Sequence, residues 1–184
     1  MNEITRQTKL GELAAIITTA LELNGINAIL TGGAVVSIYT ENEYESKDLD
    51  FISTSSHRTI TAAMNALGFS ARGKDFAHPE SEFTVEFPAP PLSIGNREPV
   101  KADGEITVNG TKIKLLSPTQ SVMDRLCGFF YHRDRQCLDQ AVSICLKQPV
   151  DLKDVEKFAK EENEMEKHGI FIEALKAKTP LTGY

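Results

Sequence analysis

Two aspartates that alternate with apolar residues are the first feature of this sequence that could do chemistry. Asp48 and Asp50 stand on either side of Leu49. In a strand, side chains two positions apart project from the same face, so the two carboxylates would lie together. Their mutual repulsion is relieved by a hard divalent cation such as Mg²⁺, which binds one or two carboxylates together with substrate phosphates. The pair therefore predicts a metal site for phosphate chemistry.

A glycine pair upstream of the aspartates has the pattern of a phosphate-binding turn. Gly32 and Gly33 follow the apolar run Ala28–Thr31 and precede Ala34–Tyr39, which can form a helix. Glycines let a phosphate approach the backbone N–H groups at a helix N-terminus, where the helix dipole also favours an anion. The sequence thus predicts a strand, a glycine turn and a helix that together bind phosphate.

A third carboxylate lies further along the chain. Glu86 alternates with the apolar residues of a predicted strand over 83–87, so it faces away from them. Such a carboxylate can complete a site for two metal ions, one activating an attacking hydroxyl and the other stabilising the departing pyrophosphate. Glu82 is the alternative if the strand begins earlier, and we prefer Glu86 because it lies deeper in the alternation.

The run Ile29–Gly33, the run Lys47–Phe51 and Glu86 together resemble the polymerase-beta-like nucleotidyltransferase superfamily. Its pattern is an apolar residue, Gly-Gly or Gly-Ser, a spacer, Asp-x-Asp, and a later Asp or Glu. The resemblance covers residues 27–90 and is strongest to the minimal bacterial type found among abortive-infection toxins. Gly33 stands where many members have Ser, and the spacer before Asp48 is long and acidic.

The resemblance implies a role for each of these residues. The triphosphate would contact Gly32, Gly33, Ser37 and Lys47. Mg²⁺ or Mn²⁺ would be bound by the three carboxylates Asp48, Asp50 and Glu86. Glu86 would in addition deprotonate or orient the acceptor hydroxyl.

The implied function is Mg²⁺-dependent transfer of a nucleoside monophosphate from a nucleoside triphosphate such as ATP to an acceptor hydroxyl. The acceptor would be tRNA, a protein or a small molecule, and a toxin would have an antitoxin partner. Two other functions stay open. One is a glycosyltransferase, whose Asp-x-Asp pair binds a metal and a nucleotide sugar but whose folds are usually larger. The other is a non-catalytic nucleotidyltransferase-like module that binds a nucleotide or a partner protein.

The elements that must position these residues belong to an α/β (α+β) fold. Asn109-Gly110 between two alternating segments predicts an antiparallel hairpin, so the sheet is expected to be mixed. From Ser117 the pattern is helical, beginning with a capping box and a proline at the first helical position. We therefore predict a small mixed-sheet nucleotidyltransferase fold with flanking helices. Residues 1–116 would form its catalytic domain and residues 117–184 a C-terminal helical region.

Composition limits the class of protein. The 184 residues are 41% hydrophobic, 25% charged and 7% aromatic, which is ordinary for a globular domain. Three cysteines without C-x-x-C spacing exclude a disulfide scaffold and suit free thiols in a reducing compartment. No apolar run approaches the roughly 18 residues of a membrane span, and the first ten residues lack a signal region. We expect a cytoplasmic protein with no membrane partner.

Charge is distributed unevenly along the chain. The net charge is −6, with 7 basic and 13 acidic side chains in residues 1–100 and 13 of each in residues 101–184. This excludes a protein that coats nucleic acid broadly but permits a local anion-binding surface. Arg125, Arg133 and Arg135 could contact phosphate, which suits the guanidinium group. The alternative that we favour is ion pairing with neighbouring aspartates, namely Asp124, Asp134 and Asp139.

Overall fold

The computed structural model describes residues 3–179. These residues form two compact units. The first unit runs to Leu92 and includes Lys101–Ser117, and the second comprises Ser93–Val100 together with the chain from Pro118 onward.

The first unit contains a seven-stranded sheet and three helices within the described residues. The helices are α1 (Leu10–Leu23), α2 (Gly32–Tyr39) and α3 (His57–Ala66). The strands are β1 (Ile29–Thr31), β2 (Asp48–Ile52), β3 (Ser70–Arg72), β4 (Asp75–Ala77), β5 (Thr84–Glu86), β6 (Gly104–Val108) and β7 (Thr111–Leu115). Their order in the sheet is β3-β4-β5-β2-β1-β7-β6.

The sheet is mixed, as the sequence predicted. β2 runs parallel to β5 and β1 parallel to β7, whereas the other neighbouring pairs are antiparallel. The predicted hairpin is confirmed, because β6 and β7 join at Asn109 and Gly110, which both have positive φ. Positive φ at both central residues is the geometry that Asn-Gly favours in a two-residue hairpin turn.

Alternation along the central strands separates an apolar layer from a polar face. Leu30 of β1, Leu49 of β2 and Val85 of β5 are fully buried. Since successive strand residues point to opposite faces, Asp50 and Glu86, which follow Leu49 and Val85, project from the other face of the sheet. The hydrophobic core thereby fixes the direction of the carboxylates.

The hairpin of β3 and β4 was not predicted from the sequence. All three residues of β3 are exposed, so no apolar alternation marks that strand. It is held by antiparallel pairing with β4 across a turn at Gly73, where φ is +66°. Backbone pairing rather than side-chain burial therefore forms this edge of the sheet.

The second unit contains four helices within the described residues. Its helices are α4 (Pro118–His132), α5 (Arg135–Lys147), α6 (Leu152–Glu161) and α7 (Met165–Lys178). Asp151 caps α6, accepting hydrogen bonds from the backbone N–H groups of Lys153 and Asp154. The three cysteines are free thiols. Within residues 3–179, no helix combines the length and the apolar character needed to cross a membrane.

The segment Ser93–Val100 is bound to this helical unit by polar contacts. The buried Glu162 carboxylate accepts hydrogen bonds from Asn96 N at 2.7 Å and Asn96 Nδ2 at 2.8 Å, and also from the Tyr131 hydroxyl. Arg97 pairs with Asp154 at 3.2 Å and Glu161 at 2.7 Å. Asn96 and Glu162 are 66 positions apart in the chain and Arg97 and Glu161 are 64 apart, so periodicity alone does not reveal these contacts.

A buried histidine in α7 makes the stability of the fold depend on pH. His168 is 7% exposed and its Nε2 atom has no hydrogen-bond partner among the described residues. Burial lowers its pKa below the ordinary value, while Glu156 partly opposes the shift. The unfolded chain then binds a proton more readily than the folded one.

We therefore expect the free energy of unfolding to be highest above the unfolded pKa of about 6.5 and to fall as pH drops below it. Urea midpoints at pH 7.5 and pH 5.5 measure this loss. His168→Phe should reduce the difference between the two midpoints, whereas the exposed His57→Phe serves as the control. An unchanged difference in the His168 variant would contradict the assignment.

Candidate active site

Three neighbouring strands bring the predicted carboxylates to one face of the sheet. In the β1–β2 pair Thr31 lies opposite Asp50, and in the β2–β5 pair Asp50 lies opposite Glu86. Opposite residues project from the same face, and Asp48, two positions earlier in β2, shares it. The structure therefore places Asp48, Asp50 and Glu86 on one face of the sheet, beside the end of β1.

Gly32 leaves room for the Asp50 carboxylate beside the start of α2. It follows β1 directly and has a φ of +68°, which L side chains rarely adopt. A Cβ atom added at Gly32 would lie 2.3 Å from Oδ2 of Asp50, closer than real Cβ atoms come. Only glycine leaves room for this approach. The first-turn N–H groups of α2 have no partner within the helix and, with the helix dipole, favour a negative charge nearby.

Ser46 connects the start of α2 with Asp48. Its Oγ atom lies 2.8 Å from where a Gly33 Cβ would be. The Ser46 hydroxyl donates to the backbone oxygen of Asp48 at 2.9 Å, and the Asp48 N–H donates to the same hydroxyl oxygen at 3.3 Å. The sequence interpretation missed Ser46, although it continues the alternation of Asp48 and Asp50 by one step. Its side chain takes the space that a residue larger than glycine at position 33 would need.

Ser37 has a structural role. It is fully buried, and its hydroxyl donates to the backbone oxygen of Tyr44 at 2.5 Å, with Gly33 O at 3.2 Å. The same hydroxyl accepts from Ser46 N at 2.8 Å. These contacts fix the loop that leads into β2. The expected contact of Ser37 with the triphosphate stays a prediction.

Ser37→Ala tests this structural role. The change leaves the backbone groups of Tyr44 and Ser46 without their partner, so we expect a loss of about 1–3 kcal/mol in the free energy of unfolding. Urea denaturation measures it. Ser70→Ala, at an exposed position of β3, should change stability by less than about 0.5 kcal/mol. Equal effects in the two variants would show that the Ser37 hydroxyl does not hold the loop.

Glu86 has two charged neighbours from the β3–β4 hairpin that the sequence interpretation missed. Lys74 donates to the Glu86 carboxylate at 2.9 Å, and this hydrogen bond together with the charge of Glu86 raises the pKa of Lys74. Asp75 lies opposite Glu86 in the β4–β5 pair, and its Oδ1 atom is buried without a hydrogen-bond partner among residues 3–179. The folded hairpin brings both residues beside Glu86, which their positions in the sequence do not predict.

Lys47 and Glu82 form an ion pair of their own. Lys47 Nζ lies 2.6 Å from Glu82 Oε2 and 5.6 Å from the centroid of the Phe83 ring. The hydrogen bond to Glu82 raises the pKa of Lys47. Of the two alternatives for a third carboxylate, Glu86 is the one opposite Asp50, whereas Glu82 precedes β5 and is engaged by Lys47. Lys47 also lines a cavity of about 260 Å³ in the first unit, and its contact with a nucleotide stays a prediction.

Solved structures of nucleotidyltransferase-like proteins share this architecture. An antigenic nucleotidyltransferase-like protein from Paracoccidioides brasiliensis aligns with a TM-score of 0.63 at 17% identity, over 96% of each chain. ANT(2'')-Ia in complex with adenylyl-2''-tobramycin aligns with a TM-score of 0.56 at 12% identity, over 86% of this chain and 99% of that one. The chain has the nucleotidyltransferase-like fold. No family model matches the sequence, and no curated protein matches it.

In this nucleotidyltransferase-like fold the donor set suits a hard divalent cation. Asp48, Asp50 and Glu86 offer carboxylate oxygens on one face. Asp75, in the next strand, adds an Oδ1 atom that has no hydrogen-bond partner in the described part of the chain. Within residues 3–179, no three acidic, His or Cys side chains are gathered tightly enough to bind a metal by themselves. Mg²⁺ commonly takes only one or two carboxylates and completes its shell with water and substrate phosphates. The residues therefore fit a cation that arrives with a triphosphate.

Proposed function

We propose that this chain is a divalent-cation-dependent nucleotidyltransferase. The observation that carries the proposal is the position of Asp50. Its carboxylate lies against Gly32 at the start of α2, opposite Glu86 and on the same face as Asp48. A helix N-terminus suited to phosphate and carboxylates suited to a cation are thus adjacent.

The two halves of the site would bind different parts of the substrate. The backbone N–H groups of Gly32 and Gly33 would bind oxygens of the triphosphate. Asp48, Asp50 and Glu86 would hold Mg²⁺ or Mn²⁺. When bound, the cation supplies positive charge that polarises the phosphoryl oxygens and stabilises the departing pyrophosphate.

The reaction is an in-line displacement at the α-phosphorus. The acceptor oxygen forms a bond to that phosphorus, the α–β phosphoanhydride bond breaks, and pyrophosphate leaves with the electron pair. Glu86 would accept the hydroxyl proton or orient the hydroxyl, after exchanging its ion pair with Lys74 for the substrate. Positioning and electrostatic stabilisation would supply most of the rate enhancement.

The acceptor that we propose is tRNA, a protein or a small molecule. The first two follow from the resemblance to abortive-infection toxins, in which case an antitoxin protein would be a further partner. The structural neighbour solved with adenylyl-2''-tobramycin supports a small molecule. All three offer a hydroxyl group to the α-phosphorus.

Nucleotide binding without catalysis is the second candidate function. It is supported by the pairing of Glu86 with Lys74, which engages the third carboxylate with an ammonium group of the chain itself. Such a module would bind a nucleoside triphosphate and transfer nothing.

A labelling experiment separates these functions. Purified protein is incubated with Mg²⁺, each α-³²P nucleoside triphosphate in turn, and bulk tRNA, cell-extract protein or a small-molecule extract. We expect label in one of the three fractions, and none with the Asp48→Asn/Asp50→Asn double variant. Triphosphate binding by calorimetry without transfer to any fraction would favour the non-catalytic module. A parallel incubation with a radiolabelled nucleotide sugar tests the glycosyltransferase, which would transfer the sugar label and no triphosphate label.

A further inference from the structure

Two arginines line a cavity in the second unit that the proposed reaction does not use. The cavity has a volume of about 460 Å³, within the range of small-ligand sites. It is bounded by the end of α4, the turn into α5 and the start of α7, with Arg133 and Arg135 on the turn. All the residues of the proposed transferase site belong to the first unit.

The turn and an aromatic ring hold the two arginines in place. Arg133 has a positive φ of 55°, and its N–H donates to the backbone oxygen of Phe129 at 3.0 Å. Arg135 begins α5, with its guanidinium carbon 5.8 Å from the centroid of the Phe129 ring. A guanidinium group over an aromatic face is attracted to the ring. Both arginines therefore border the same cavity from one short turn.

The aspartates that should neutralise these arginines are engaged elsewhere. Asp134 caps α5, accepting from Gln136 N at 2.8 Å and Cys137 N at 3.3 Å. Asp139 pairs with Lys178 at 3.2 Å. In the part of the chain that the structure describes, neither Arg133 nor Arg135 forms an ion pair.

The favoured ion-pair interpretation is therefore wrong for Arg133 and Arg135. It is confirmed for Arg125, which pairs with Asp124 at 2.5 Å.

The remaining charged groups of the cavity leave a positive balance. Glu164 accepts from Lys167 Nζ at 2.9 Å, so these two charges compensate each other. Lys167 also donates to the backbone oxygen of Phe130. Glu166 is the remaining carboxylate of the cavity wall, and it has no ion pair among the described residues. Two guanidinium groups against this one carboxylate leave a net positive charge.

We propose that this cavity binds a phosphate group carried by a nucleotide or by the end of an RNA strand. Guanidinium groups match phosphate oxygens with pairs of charge-assisted hydrogen bonds. The net positive charge of the cavity wall favours an anion, and the volume of about 460 Å³ leaves room for the attached nucleoside. The proposal is independent of the proposed transferase activity.

Backbone amide NMR on the whole chain tests the site directly. The probes are adenosine 5′-monophosphate, a 5′-phosphorylated tetranucleotide RNA and the dicarboxylate glutarate. Either phosphate probe should cause saturable shifts at the amides of residues 129–137 and 164–167. Arg133→Ala/Arg135→Ala should weaken this binding by roughly tenfold or more. Arg58→Ala/Lys153→Ala, which changes the net charge equally at exposed positions, is the control and should leave it unchanged.

The outcomes distinguish the two ligand sources and the two proposals. Tighter binding of the mononucleotide assigns the site to free nucleotides, and tighter binding of the tetranucleotide assigns it to an RNA end. Absence of saturable shifts, unchanged affinity in the arginine variant, or equal affinity for glutarate would overturn the proposal. Asp50→Asn should leave these shifts intact, so a failure of nucleotidyl transfer alone would not affect the cavity.

Discussion

Asp50→Asn is expected to lower kcat/KM for nucleotidyl transfer by roughly a thousandfold or more. Asp50 is the carboxylate that lies both against Gly32 and opposite Glu86. The amide keeps the shape of the side chain but removes the negative charge that would hold the cation. The variant should remain folded, because removing one of several like charges relieves repulsion. Steady-state kinetics and urea denaturation measure the two effects.

Glu82→Gln is the matched control for this prediction. Glu82 is also a carboxylate of the first unit, but it pairs with Lys47 at an exposed position. Surface pairs of this kind contribute only about 0–1 kcal/mol to stability, so the variant should stay folded. Because Glu86, and not Glu82, lies opposite Asp50, we expect its activity to stay close to that of the unchanged protein. If Asp50→Asn were as active as Glu82→Gln, the assignment of Asp50 to the cation site would be wrong. Asp48→Asn should act in the same direction as Asp50→Asn.

Gly32→Ala is expected to reduce both stability and activity. A backbone φ of +68° is strained for any L residue with a side chain, and the new Cβ would lie 2.3 Å from Oδ2 of Asp50. The strain costs of order 1–3 kcal/mol in the free energy of unfolding. Because Asp50 must move away, transfer should fall by about a hundredfold. Urea denaturation and kcat/KM report the two losses separately.

Gly25→Ala separates strain from displacement. Gly25 has nearly the same φ, +69°, but a Cβ there would meet nothing within 4 Å. It should therefore lose stability by about 1 kcal/mol and keep its activity. An equal loss of activity in both variants would mean that the space beside Asp50 has no role in the reaction.

Local patterns were sufficient to predict the central part of the site. The alternation of Asp48 and Asp50 with buried residues sets their common face, and Gly32 marks the turn between β1 and α2. Both signals come from residues that are close in the chain. The register of Asp50 with Glu86, by contrast, could be tested only in the folded sheet.

Other parts of the site depend on contacts between distant residues. β3 is exposed along its whole length, so no apolar pattern in the sequence predicts the β3–β4 hairpin. The position of Lys74 and Asp75 beside Glu86 depends on that hairpin. The burial of Ser37 arises because the loop after α2 folds back onto its hydroxyl.

The arginines of the second unit show how one local rule can override another. Spacing alone favoured an ion pair between Asp134 and its neighbouring arginines. In the structure the Asp134 carboxylate instead accepts from the first N–H groups of α5. Helix N-termini have unpaired donors that a capping aspartate satisfies, and this leaves Arg133 and Arg135 to line the cavity.

Paired labelling of the triphosphate is the measurement that tests nucleotidyl transfer most directly. The protein is incubated with Mg²⁺ and the acceptor fraction, once with α-³²P triphosphate and once with γ-³²P triphosphate. We expect the α label in the acceptor and the γ label in pyrophosphate. With Asp50→Asn we expect both labels to remain in the triphosphate. Transfer of the γ label, or equal transfer by Asp50→Asn, would contradict nucleotidyl transfer at this site.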